Sequence, residues 1–403
     1  MMTRYLFKKS GQALLAVVMV LAVLLILGAA ATTLAASGKK AIVRQKEKTQ
    51  AYYIAEAGVE RAFLKIKQEY DWFTSLPIEE NVILSELCGV NYAQGQIEEV
   101  IVKKSMAGIG TKAEVTATGS YGLARKILKV SIRIFSLANL LNGISILPPE
   151  PVLLQIGGNI NIDCPDLLVN GSLALKGNSS VTGDIYASGV VSGQDQVEGL
   201  IYEDYLPFPS FPDLDQDWFR DHATAFFNED ITIGEPSGAT GGQGGKQGGK
   251  QDGGQGGEQV DLDISQLTQE GIYFIDGNVT ISGTYNVPAI IVATGNIEIC
   301  DDLKRTDNNG DFLLTLIAFG SKSHTNGDVS VKKGNTDVEA LIISYGCFDT
   351  HGNSSLYGGI VAQGLNLTGG VQVACDPNII RQNLPEEIVC YNPLIKIKSW
   401  NEL

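Results

Sequence analysis

The run from Ala13 to Ala36 constrains this chain more than any other stretch. It holds 24 residues without one charged side chain. As an α-helix rising about 1.5 Å per residue it spans roughly 36 Å, enough to cross a hydrocarbon layer of about 30 Å. A removable secretory signal is the alternative, because Ala35-Ala36-Ser37-Gly38 offers a small-residue cleavage site. The apolar core of such a signal is usually only about 7–15 residues, however. From Lys39 to Gln68 there is no proline and a single glycine, Gly58, and Ile42, Ala51, Ile54, Ala55, Val59, Ala62 and Ile66 leave a stripe at helical spacing. One long helix is therefore expected over 12–70, apolar over its membrane part 13–36 and amphipathic after it.

The basic pair Lys8-Lys9 precedes Ser10-Gly11-Gln12, and the second half of the helix carries Gln50-Ala51-Tyr52-Tyr53-Ile54-Ala55-Glu56-Ala57-Gly58-Val59-Glu60. This arrangement resembles the N-terminus of type IV pilin-like proteins, specifically the PilX-type minor pilin family with its Q-A-F-Y-x-A-E-A-G-x-E signature. The resemblance covers residues 8–67 of the 403. It implies a leader over 1–11, cut after Gly11 by a prepilin peptidase so that Gln12 becomes the mature, often methylated, N-terminus. It also implies a single pass through the cytoplasmic membrane with the rest of the chain outside, and other pilins and pilus assembly proteins as partners. Ala16 is a departure, since most major pilins carry Glu at that fifth mature position. That Glu would neutralise a neighbour's amino terminus inside a filament, where an unpaired buried charge is costly. The resemblance therefore implies a minor subunit, located either at the tip or wherever the PilX-like group sits.

Charge is distributed unevenly. The formal net charge is −15, yet residues 1–50 hold eight Lys/Arg against one acid, which leaves −22 on the remainder. An acidic ectodomain argues against a nucleic-acid partner, and the basic residues read as membrane-flanking. They stand on both sides of the span (Arg4, Lys8 and Lys9 before; Lys39, Lys40 and Arg44 after), so they do not set its orientation.

After the helix, 71–136 reads as a small pilin-like head. Gln96–Val102, Lys112–Gly119 and Arg125–Ile134 alternate apolar and polar residues, as an antiparallel sheet packed on the helix would. Pro148-Pro149-Glu150-Pro151 marks a boundary within a linker over 137–155. A weak repeat follows: Gly158-Asn159-Ile160-Asn161-Ile162 returns as Gly183-Asp184-Ile185, Gly277-Asn278-Val279, Gly295-Asn296-Ile297 and Gly327-Asp328-Val329. A turn pair followed by a short alternating strand suits stacked coils, so the fold class expected is an α+β pilin-like N-terminus followed by a mainly-β domain, a β-solenoid or β-helix. Irregular spacing keeps a β-sandwich as the alternative. The solenoid would have a first part over 156–201 and a second over 261–375. Between them lie an aromatic insertion and a Gly-rich linker over 202–260, whose aromatic part would cap the solenoid or bind a partner. A C-terminal tail would occupy 376–403.

The six cysteines (88, 164, 300, 347, 375 and 390) contain no C-x-x-C pair, which disfavours a zinc ribbon or redox motif. Cys375 and Cys390 are close enough to bridge a C-terminal loop, as in many pilins; unpaired cysteines in strands are the other reading. Gly244–Lys250 begins like a phosphate-binding loop, but Gln251 replaces the required hydroxyl. His222, His324 and His351 offer no helical pair for zinc. Asp301, Asp302, Asp307, Asn309 and Asp311 lack the glycine placement of an EF-hand loop. Asp328, Glu339 and Asp349 are the acids a polysaccharide-cleaving solenoid could use, though their spacing singles out none of them. The expectation is a non-enzymatic, cofactor-free minor pilin with no metal site, displaying its β domain for structure or adhesion. The rival expectations are a membrane-tethered β-helix acting on polysaccharide and a plain envelope anchor protein.

Overall fold

In a computed structural model, residues 6–106, 109–228, 231–233, 260–262, 264, 269–306, 312–320, 326–379 and 393–403 are described. Helix α1 runs unbroken over Leu6–Gln68, which makes it roughly 95 Å long. Its two halves meet different surroundings. From Leu14 to Lys46 every residue is exposed, whereas Ala51, Ile54, Ala55, Val59, Ala62 and Ile66 are fully buried.

That buried stripe lies on the head sheet, built from β1 (Asn81–Ile83), β2 (Val90–Tyr92), β3 (Gly95–Met106), β4 (Thr111–Tyr121) and β5 (Ala124–Phe135). The pairs are antiparallel, in the order β1-β3-β4-β5, with β2 beside β3. Alternation along β4 and β5 sends Ala113, Val115, Ala117, Val130, Ile132 and Ile134 to the helix side, where they form one core with α1. The β4–β5 turn is Gly122-Leu123, with Gly122 at φ +59°, the sign needed at the first centre of a II′ hairpin turn. The sheet has one further strand. The residues expected to be a tail return as Leu394–Glu402, paired antiparallel with β5 from Leu394↔Phe135 to Glu402↔Leu128.

The β domain is a curled sheet in which every pairing among the described residues is parallel; antiparallel pairs are confined to the head. One pass of chain shows the plan. Val338 leads into Ala340–Ser344, then Phe348–Thr350; the next pass repeats this as Leu356, Ile360–Ala362 and Leu365–Leu367, each in register with the strand above. In the row containing Ala289–Ala293, Leu314–Ala318 and Ala340–Ser344, both faces are buried. Ile291, Leu316 and Ile342 point to the interior, while Ile290, Val292, Ile317, Leu341 and Ile343 point outward into a second core. Strands covered on both sides lose the apolar/polar alternation, which explains their continuously apolar sequences.

Two further sequence expectations need correction. The 137–155 segment is not a linker: it holds the helix Leu137–Leu141 and the strands Ile144–Ile146 and Val152–Gly158 of a first coil. The two repeat blocks form one continuous stack, as expected of parts of one domain. Ile360–Ala362 pairs with Ile144–Ile146, and Gln372–Ala374 pairs with Asn161–Asp163, so the last coil of the second block stacks on the first coil of the first. The chain thus enters the stack at its middle. It leaves one end at Ile201–Tyr202 and resumes at the other with Ala225–Phe227.

The aromatic insertion spans that distance as a strap, and its Ala225–Phe227 supplies the strand at one end of the row. Tyr205 meets Tyr186, Phe211 meets Tyr345, Phe219 meets Phe319, Arg220 lies over Phe274, and Ile272 N–H donates to Thr224. Its helix is Gln216–Asp221, started by the Asp215 carboxylate accepting from the Asp217 and Trp218 amides. The strap, the helix Leu137–Leu141 and Phe135 together close the outward apolar row.

Second, Cys375 is bonded to Cys164, with Cα atoms 4.8 Å apart, and not to Cys390, which lies outside the described residues. The bond sits just beyond the paired strands Asn161–Asp163 and Gln372–Ala374, because stacking brings together two cysteines that are 211 positions apart. The Gly-rich segment 238–257, His324, Asp307, Asn309 and Asp311 also lie outside the described residues.

Candidate assembly interface on the N-terminal helix

The free half of α1 is an apolar cylinder with no protein packed on it. Leu14, Val17, Leu21, Leu24, Leu25 and Leu34 are all more than half exposed. Its few polar groups are satisfied within the helix: Thr32 and Thr33 hydroxyls donate to the carbonyls of Gly28 and Ala29, and Ser37 donates to Leu34. Such back-bonding removes the cost of placing a hydroxyl in an apolar surround. Ala16 is exposed on this cylinder and supplies only a methyl group. Gly11 and Gln12 fall within the same unbroken helix, near its start.

The signature residues sit where the helix meets the head. Ala51, Ala55 and Gly58 are buried, Gln50, Tyr52, Glu56 and Ala57 are half-buried, and Tyr53 is exposed. Their small size has a geometric cause. A Cβ on Gly119 of β4 would stand 2.4 Å from the Ala55 nitrogen and 2.5 Å from the Ala51 carbonyl oxygen. Sheet backbone and helix backbone therefore touch directly at this turn. A Cβ on Gly58 would meet Ala117 Cβ at 3.1 Å and the Ile97 and Val100 methyls at 3.3 Å. Ala51-x-x-x-Ala55-x-x-Gly58 is thus the groove into which the sheet settles, and it leaves Tyr53, Glu60 and Leu64 on the solvent side.

Charges fix the lower end of the same helix. Lys65 Nζ lies 2.7 Å from Glu69 and 3.0 Å from Glu86, and it stands 4.7 Å from the centroid of the Trp72 ring. The hydrogen bond to Glu69 is the chief reason the Lys65 pKa is raised, and Glu86 is held low by its own backbone N–H and by Lys65. Arg61 lies 5.3 Å over the Tyr92 ring. These contacts pin α1 to the β1–β2 region, so the free half projects from the head in a set direction.

The other sequence candidates do not assemble into one site. Asp301 is paired with Lys333, and Asp302 with Lys304. Glu339 faces Arg305, whereas Asp328 and Asp349 both neighbour Cys347. Sequence reading missed the C-terminal strand, whose alternating Leu394-Ile395-Lys396-Ile397 was a usable signal, and the Cys164–Cys375 bond, for which no local signal exists.

No protein-family model matches this chain, and no curated protein sequence does. Among solved structures, the crystal structure of the competence-associated pilin ComZ from Thermus thermophilus is similar to it. The likeness covers 89% of this chain and 98% of that one, at 14% identity and a TM-score of 0.35.

Proposed function

We propose that this chain is a minor pilin-like subunit of the PilX type, anchored in a membrane by α1 and then incorporated into, or priming, a type IV pilus or related filament. The single observation that carries the reading is the division of α1. One continuous helix is bare and apolar over Leu14–Ala36 and socketed in its own head over Ala51–Ile66. A free apolar helix of that length is satisfied in a bilayer, or among copies of similar helices, and not in water. The socket keeps the head outside either environment. In this reading a prepilin peptidase cuts between Gly11 and Gln12, other pilins and assembly proteins are the partners, and the β domain is a β-solenoid displayed at the cell surface for structure or adhesion, without enzymatic activity. The all-parallel register of the β domain supports the solenoid form over a sandwich.

The test is the N-terminus of the full chain extracted from membranes of cells that carry a prepilin peptidase. A start at Gln12, lost on Gly11→Ala, is expected. An intact Met1, or a start near Ser37, overturns the proposal.

A further inference from the structure

The head sheet carries three cations side by side on its face away from α1. Lys112 of β4 is directly opposite Arg133 of β5, which is directly opposite Lys396 of the C-terminal strand. Directly opposed side chains share a face with Cβ atoms about 5 Å apart, and like charges so placed destabilise a sheet. Four other cations of this sheet are paired, Lys103 with Glu79, Arg125 with Glu98, Lys126 with Glu402 and Lys129 with Glu114, and Lys104 donates to the Thr74 carbonyl. Lys112, Arg133 and Lys396 make no ion pair or hydrogen bond among the described residues. Arg133 is only 7% exposed, and its Nε and Nη1 have no acceptor. The Tyr205 ring of the strap lies 4.2 Å from Cζ and covers the guanidinium without accepting from its Nε and Nη1 groups. Asp166, which also acts on Tyr205, accepts from Asn142 and does not pair with Arg133. Beside Lys396 a groove of about 340 Å³ opens between head and strap, lined also by Pro148, Asn170, Phe208, Phe211 and Gln363.

We propose that this junction between head, strap and β domain binds a compact oxyanion, a phosphate- or carboxylate-bearing small ligand, with Arg133 as the buried anchor and Lys112 and Lys396 flanking it. A buried cation with open donors is expensive unless an anion meets it, and the planar fork of arginine accepts either oxyanion through paired N–H groups. Three adjacent strands span only about 10 Å, which fits a ligand of one or two acidic groups. An extended polyanion would meet repulsion from the net −22 carried by residues 51–403.

The experiment is thermal unfolding of the full chain in detergent, titrated with inorganic phosphate or with succinate against chloride at equal ionic strength. A ligand that binds the folded state raises the Tm with a saturable dependence on concentration. The expected result is such a rise with at least one of the two anions, and which anion produces it identifies the acidic group. Lys112→Gln combined with Lys396→Gln weakens the apparent affinity about tenfold, and Arg133→Met removes the response. Lys129→Gln, four residues along the same face, leaves it unchanged. No rise with either anion in the parent protein, or an equal rise in the double lysine variant, overturns the proposal. If Arg133→Met does not fold, the lysine pair decides the matter alone.

Discussion

Gly119→Ala tests whether direct contact between helix and sheet backbones holds the stem to the head. The new methyl would sit 2.4 Å from Ala55 N, 2.5 Å from Ala51 O and 2.9 Å from Ile54 C, where ordinary contact begins at 3.4 Å. All three obstacles are backbone, so no rotamer change relieves them, and the helix must retreat by about 1 Å over that turn. A gap of that size forfeits roughly a quarter to a half of each dispersion contact along the stripe Ala51–Ala62. Overpacking of this kind costs about 1–3 kcal/mol, offset by about 0.4–1 kcal/mol because alanine loses less chain entropy than glycine on folding. The net expectation is a loss of about 1–2 kcal/mol. Gly58→Ala is the contrast. Its obstacles are side-chain carbons at 3.1–3.3 Å, and alanine is favoured over glycine by about 1 kcal/mol inside a helix, so the net change stays within about 1 kcal/mol. Urea unfolding of the full chain in detergent separates the two. Fluorescence of Trp72 and Trp400 reports the head, while Trp218 lies in the strap. At a slope of about 2 kcal/mol per molar, Gly119→Ala lowers the head midpoint by about 0.5–1 M. A midpoint indistinguishable from the parent, or a larger loss for Gly58→Ala, refutes the reasoning.

Further outcomes follow from the same structure. Replacing Cys164 and Cys375 by Ser reopens a loop of 211 positions; the chain-entropy argument puts the cost at up to about 5 kcal/mol, read as a lower denaturation midpoint of the β domain that reductant reproduces in the parent. Phe219→Ala empties a fully buried site under the strap; about 3–5 kcal/mol is expected, with new proteolytic cleavage inside 203–224 as the sign that the strap has lifted. Burial is the chief cause that raises the Asp166 pKa. The folded state then binds the proton more tightly than the unfolded one, so this group's contribution to stability falls as pH rises from the ordinary carboxylate value near 4 through the raised one. Asp166→Asn removes that dependence and stabilises the protein at neutral pH; an unchanged stability–pH curve in the variant would count against it.

How much of this protein was legible in its sequence depends on the range of the interaction concerned. The helix was legible because its signals are local: an uncharged run of membrane length, then a stripe at 3.6-residue spacing with no proline in it. The head strands were legible through their alternation, and the coils through the recurrence of a turn pair before a short strand. Ala51, Ala55 and Gly58 stood out as a motif, but their purpose appears only when Gly119 is set against them. The strap was visible only as an aromatic anomaly, because what it covers is an apolar row assembled from coils on both sides of it in sequence.

By itself, the sequence determined the elements: a long helix with one apolar and one amphipathic half, an antiparallel head and a strand-rich acidic domain. Only the tertiary structure decided their assembly. The last coil stacks on the first, the C-terminus returns to the head sheet, Cys164 meets Cys375, and Lys112, Arg133 and Lys396 fall into one row. The physical reason is that propensity and periodicity act over a few residues and are written locally. Strand register across the stack is set instead by burial shared between segments up to 216 positions apart, as Ile144 and Ile360 are, and no short window of sequence records which distant strand will provide the other half of a core.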